Sequence, residues 1–125
     1  MLFFKPKRQR ELERDLNRIM SGLTTLSAAT KLMTQDKLRD YRLALEKDTG
    51  GLPGFMALSV DEKTDYIIPI ISQMNEARER DNAVDFISAY LFVMLLESIS
   101  CGYHSTMNKV IGVIEKISTF PWAES

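Results

Sequence analysis

Apolar positions along this chain recur with the period of a helix, not with the two-residue alternation of a half-buried strand. From Leu12 they run Leu12, Leu16, Ile19, Leu23 and Leu26, then Thr30 and Met33 in register, in steps of 4, 3, 4, 3, 4 and 3. A seven-residue repeat of this kind keeps one seam of a helix facing a neighbour. Met20 widens the seam, while Glu11, Glu13, Arg14, Asp15 and Arg18 take the other sides. Opposite charges meet at i,i+3 in Glu11–Arg14 and Asp15–Arg18, and like charges meet at i,i+4 in Glu11–Asp15 and Arg14–Arg18. Gly22, Thr24 and Thr25 weaken the helix locally.

Thr34 or Asp36 is positioned to cap a second helix with Leu38, Tyr41 and Leu45 on one face, unless that segment continues the first. Gly50-Gly51-Leu52-Pro53-Gly54 is the strongest break in the chain, and Phe55, Met56 and Leu58 after it read as plugs into the core. Ser59 and Glu62 form a capping box for a third helix, with Asp61 and Glu62 suited to its positive end. Val60, Ile67, Ile70, Ile71 and Met74 mark its buried side, and Pro69 predicts a kink near Asp65–Pro69. Ser105 can cap a last helix with Met107, Val110, Ile111, Ile114 and Ile117 inward. Its Val and Ile content also suits a strand, but a single strand without a partner is hard to place. Phe120, Pro121 and Trp122 close the chain.

Between these lies Asp85 to Glu97, where eleven consecutive residues carry no charge and apolar side chains occupy every side of the helix. Asp81 or Asn82 caps it, and Cys101-Gly102 ends it. A helix that is apolar all round is either the central rod of a domain or half of an interface. From Phe86 to Asn108 only Glu97 is charged, so length alone would allow a membrane crossing. A carboxylate near the bilayer centre costs about 2.5–3.5 kcal/mol on insertion scales, so no transmembrane span is expected.

Composition fits one soluble domain of 125 residues, 45% hydrophobic and 26% charged. The single Cys101 cannot form an internal disulfide, which fits a reducing, cytoplasmic setting. Leu2, Phe3 and Phe4 are too few for a secretory h-region before Lys5. The net charge of −1 conceals an asymmetry: residues 1–50 hold eleven Lys/Arg against seven Asp/Glu, and residues 51–125 hold five against ten. Opposite halves can attract each other within one fold or across a dimer, or a basic arm can meet nucleic acid or anionic lipid.

Candidate chemistry is sparse. Glu97, Cys101 and His104 stand at i, i+4 and i+7, one helical face if the helix continues past Gly102. A cysteine beside a histidine invites a nucleophile reading, but two residues on one helix rarely reach the required geometry, and no oxyanion site is evident. One Cys and one His fall short of a zinc site, and no Glu-x-x-His repeat of a di-iron bundle occurs, so neither metal nor cofactor is expected. Glu97 on a largely buried helix needs a cationic partner, for which Arg14, Arg18, Arg42 and His104 are the candidates. Gly50–Gly54 lacks the Gly-Lys-Ser/Thr ending of a phosphate loop and reads as a flexible connection. Lys5, Lys7, Arg8 and Arg10 place four cations beside Leu2, Phe3 and Phe4. Four charges alone give weak, salt-sensitive contact with phosphates.

The pattern therefore predicts one all-α domain over residues 1–125, a bundle of four to five helices around a central apolar helix, with residues 1–8 as a flexible basic arm. The expected function is a non-catalytic protein–protein interaction module, a regulator or adaptor, with a homodimer expected. Its partner-binding residues would be Leu12, Leu16, Ile19, Leu23 and Leu26 on the seam, with Tyr90, Phe92 and Leu95 on the apolar helix. The alternative is a nucleic-acid-associated regulator using the basic arm through Arg18, with Lys5, Lys7, Arg8 and Arg10 as its binding residues. A small-molecule or catalytic bundle around Glu97, Cys101 and His104 is the third reading.

Overall fold

Six helices pack together among the residues that the computed structural model describes, which are 5–23 and 25–117. They are α1 (Lys7–Leu23), α2 (Ala28–Thr49), α3 (Leu52–Met56), α4 (Val60–Glu79), α5 (Ala83–Cys101) and α6 (His104–Ile117). The chain is all-α over these residues. The count exceeds the expected four to five because Leu52–Met56 closes into a five-residue helix with Pro53 at its start, where a missing N–H costs nothing.

α5 is the axis of the bundle. α4 covers it most extensively, α2 and α6 pack beside it, and α1 reaches both α5 and α6. Leu91 to Leu96 are all buried, together with Ser88, Ala89 and Ser98. Burying a side chain such as Phe92 or Leu95 contributes about 1.5–3 kcal/mol each, so this one helix dominates the core. It is also the one helix among the described residues that is long and apolar enough to cross a membrane, and half of that stretch is buried against the other helices.

Local signals explain most of the boundaries. Asn82 caps α5 by accepting the Asp85 N–H at 3.1 Å, and Gly102 ends it in the left-handed region at φ 73°. Ser59 and Glu62 form both hydrogen bonds of the capping box, and the one that the Ser59 N–H donates to the Glu62 carboxylate is the main cause holding that carboxyl below its ordinary value. α4 runs unbroken through Pro69.

Several local expectations are corrected. Ser105 lies inside α6, which opens at His104, and so does not cap it. α2 begins at Ser27, whose hydroxyl accepts the Thr30 N–H at 3.1 Å, and not at Thr34 or Asp36. Thr34 lies inside the helix, buried, with its hydroxyl donated back to the Thr30 carbonyl. The heptad seam accordingly stops with α1 at Leu23, and Met33 is exposed on α2. The Gly50–Gly54 corner is a packed turn. Gly50 and Gly51 both adopt φ 90°, and Gly54 approaches Thr49 so closely that a Cβ would lie 1.7 Å from its carbonyl oxygen. Phe55 is fully buried below it, whereas Met56 is exposed. The readings of Leu2, Phe3, Phe4, Phe120, Pro121 and Trp122 lie outside the described residues.

Candidate functional site

The eight residues read as a partner surface lie mostly inside the chain. Leu12, Leu16, Leu23, Phe92 and Leu95 are buried, Leu12 and Leu95 completely. Ile19 and Leu26 are partly buried against the same core. Phe92 stacks on Tyr41 of α2, with ring centroids 4.9 Å apart and planes 16° from parallel. Tyr90 donates its hydroxyl to Asp15 of α1, and burial together with that carboxylate pushes its pKa up to about 12. These faces are therefore occupied by α1, α2, α5 and α6 themselves.

The basic arm divides in two. Lys7 and Arg8 belong to the first turn of α1. Lys5 pairs with Glu13 at 2.8 Å, and Arg8 turns inward to Glu97. Lys7 and Arg10 remain on the outer surface. The partner of Glu97 is thus Arg8, and not Arg14, Arg18, Arg42 or His104. Both Nε and Nη2 of the guanidinium donate to the carboxylate, which raises the Arg8 pKa further above its already high value.

Glu97, Cys101 and His104 do not share a helix. α5 ends at Cys101, Gly102 reverses the backbone, and His104 opens α6. Cys101 and His104 are both exposed, while the Glu97 carboxylate is engaged by Arg8. Among the described residues no group of three or more His, Cys, Asp or Glu is placed to hold a metal ion.

A polar seam between α1 and α6 was not legible in the pattern. Gln9 is buried and donates to the Thr106 hydroxyl at 2.9 Å, and Thr106 in turn donates to Glu13 at 3.1 Å. Lys109 reaches the same carboxylate at 3.0 Å. Burial raises the Glu13 pKa, but hydrogen bonds from Lys5, Lys109 and Thr106 outweigh it and hold the carboxyl below its ordinary value.

An open apolar cleft lies between α4 and α5. Val60, Thr64, Ile67, Ile68 and Ile71 of α4 recur at i, i+4, i+7, i+8 and i+11 along one wall. Glu97, Ser100 and Cys101 of α5 form the other, and Lys63 stands at the rim of a cleft of about 330 Å³. Val60 is 77% exposed and Ile68 53% exposed. Val60 was expected on the buried side of the helix. It lies instead in the first turn, at the open end of the cleft. Ile67, Ile68, Ile70 and Ile71 crowd too wide an arc for a single buried face, and that crowding is the signal that could have revealed the exposed one.

No family model matches this chain, and neither a curated protein nor a solved structure matches it.

Proposed function

We propose that the chain is a non-catalytic helical interaction module, a cytoplasmic regulator or adaptor, whose α4/α5 cleft accepts an apolar helix face from a second copy of the chain. The observation that carries this reading is the cleft itself: Val60 and Ile68 project from a helix whose neighbours Ile67 and Ile70 are already buried. Large apolar side chains grouped around a concave surface are the usual mark of a protein contact, whereas singly scattered ones are not. The faces first expected to meet a partner are occupied within the chain, whereas Val60 and Ile68 stand open at this cleft. A single exposed Cys101 without a disulfide fits the cytoplasmic part of the reading.

Sedimentation velocity over a range of concentrations tests it. The reading expects a concentration-dependent dimer for the unaltered chain and a folded monomer for Ile68→Asp, since Ile68 is half exposed and its replacement leaves the core intact. A monomer at every concentration, or a dimer unaffected by Ile68→Asp and Val60→Asp, would sink it. Affinity capture from native lysate, with and without nuclease, then tells a different protein partner from a nucleic-acid-dependent one.

A further inference from the structure

α1 turns Leu12, Leu16 and Leu23 inward, and its opposite side faces water. Lys7, Arg10, Arg14 and Arg18 recur on that side at i, i+3, i+7 and i+11, a spacing that holds one line down a helix. Arg10, Glu13, Arg14, Asn17, Arg18 and Ser21 line one shallow, open depression of about 620 Å³. The acid among them is already neutralised, because Glu13 is gripped by Lys5 at 2.8 Å and Lys109 at 3.0 Å. Asp15 lies 3.7 Å from Arg14 on the flank but also accepts the Tyr90 hydroxyl. Glu11 stands on the same side, with its carboxylate 3.4 Å from Arg8. The four cations outnumber these acids, so the line presents net positive charge on a chain whose net charge is −1.

We propose that this face of α1 binds the sugar–phosphate backbone of duplex nucleic acid, by charge and not by base sequence. Three of its four cations are arginines, whose planar guanidinium matches phosphate oxygens two at a time. From Lys7 to Arg18 the helix rises about 16 Å at 1.5 Å per residue. A duplex carries one negative charge per about 1.7 Å of axis, so a straight stripe of this length faces a near-continuous line of counter-charge. A lipid surface fits less well, because an interfacial helix needs apolar residues at the bilayer, and here Leu12 and Leu16 point into the core. An acidic protein fits less well too, because protein contacts centre on apolar or aromatic anchors that this stretch does not expose. The residues fall within the stretch from the basic arm through Arg18: Lys7, Arg10, Arg14 and Arg18 line the outer side, whereas Lys5 pairs with Glu13 at the surface and Arg8 turns to Glu97.

The test is fluorescence anisotropy of a labelled duplex with the full chain. Unlabelled duplex, phosphatidylserine vesicles and polyglutamate serve as competitors. Binding is expected at 50 mM salt and should weaken about 40- to 150-fold by 200 mM, the range for three to four released counterions. The R10A/R14A/R18A variant, checked for helicity by circular dichroism, should lower the log–log salt slope by roughly 3. Lys47→Ala with Lys116→Ala removes two exposed cations from other helices and should change neither quantity, and Ile68→Asp should leave duplex binding intact. No binding at 50 mM salt, salt-independent binding, equal losses in the control, or stronger competition by vesicles or polyglutamate than by duplex would each overturn the proposal.

Discussion

Arg8, in the first turn of α1, holds the Glu97 carboxylate of α5 through two guanidinium nitrogens, with Nη2 at 2.9 Å. The residues are 89 apart in sequence, and a second contact with Glu11 at 3.4 Å steadies the guanidinium from its own helix. Past Asp85 in its first turn, Glu97 is the one charge on the apolar core helix, with a side chain 21% exposed. A partly buried carboxylate needs such a partner, and meeting it fixes where α1 begins relative to the end of α5.

Breaking this pair should cost modest stability, because the Arg8 side chain is 46% exposed and solvent screens it. Arg8→Ala is expected to destabilise the fold by about 1 kcal/mol, which includes leaving Glu97 without its cation. Glu97→Gln keeps the shape and removes the charge. In urea unfolding, the double variant should be less destabilised than the sum of the singles by about 0.5–1 kcal/mol. Strict additivity would mean that the two residues do not interact in solution.

Glu13 gives the fold an acid sensitivity of definite sign. Its carboxyl is held below the ordinary value of 4.5 in the folded chain, against the opposing effect of burial. A depressed carboxylate contributes stability that is fully present above the unfolded-state pKa and is lost as pH falls through the lower folded value. Urea midpoints measured from pH 7 down to pH 3 should therefore fall for the unaltered chain. They should fall less steeply for Glu13→Gln, where the Lys5 and Lys109 contacts no longer depend on ionisation. Parallel curves for the two proteins would contradict the assignment.

The core and the exposed side of α2 should respond oppositely to the same substitution. Leu95 is 0% exposed on α5, and Leu32 is 60% exposed on α2. Leu95→Asp buries a carboxylate among apolar side chains and should abolish folding, as should Ala89→Asp, since an unpaired buried charge exceeds the margin of an ordinary domain. Leu32→Asp should alter stability by no more than about 0.5 kcal/mol. Circular dichroism of the two variants under one condition decides the matter, and a folded Leu95→Asp would place α5 elsewhere than at the centre.

What the pattern disclosed and what it hid follow from the range of the forces involved. Ser59 with Glu62, the start of α5 at Asp81 or Asn82, and its end at Gly102 were readable because each boundary is set by hydrogen bonds within a few residues. The inward face of α6, with Val110, Ile111, Ile114 and Ile117, was readable from its period. The end of α1 was not, because a hydrophobic repeat runs across the turn that separates Leu23 from Ala28. Thr25 closes that turn by donating both its N–H and its hydroxyl to the Gly22 carbonyl. The Arg8–Glu97 pair and the Gln9–Thr106 seam join distant parts of the chain, and no local spacing encodes them. The direction of the Leu12 seam was legible, but its partner was not: a stripe that suits an interface suits a core equally well, and here α5 and α6 take it.

Two glycines should separate backbone freedom from close packing. Gly112 lies inside α6, and beyond its own stretch of helix backbone no atom comes within 4 Å of where a Cβ would stand, so packing does not require glycine there. Gly112→Ala should stabilise the chain by about 0.8–1 kcal/mol, through helix propensity and a less flexible unfolded state. Gly54 is the converse case, because a Cβ would lie 1.7 Å from the Thr49 carbonyl oxygen, a backbone atom that cannot swing away as a side chain would. Gly54→Ala should force α3 away from the end of α2 and cost on the order of 3 kcal/mol. That shift would lift Phe55, which is fully buried and packs edge-on to Tyr66 at a centroid distance of 6.0 Å. Thermal unfolding of the two variants should move the midpoint in opposite directions. If Gly54→Ala unfolds at the same temperature as the unaltered chain, the corner is looser than the close approach of Gly54 to Thr49 implies.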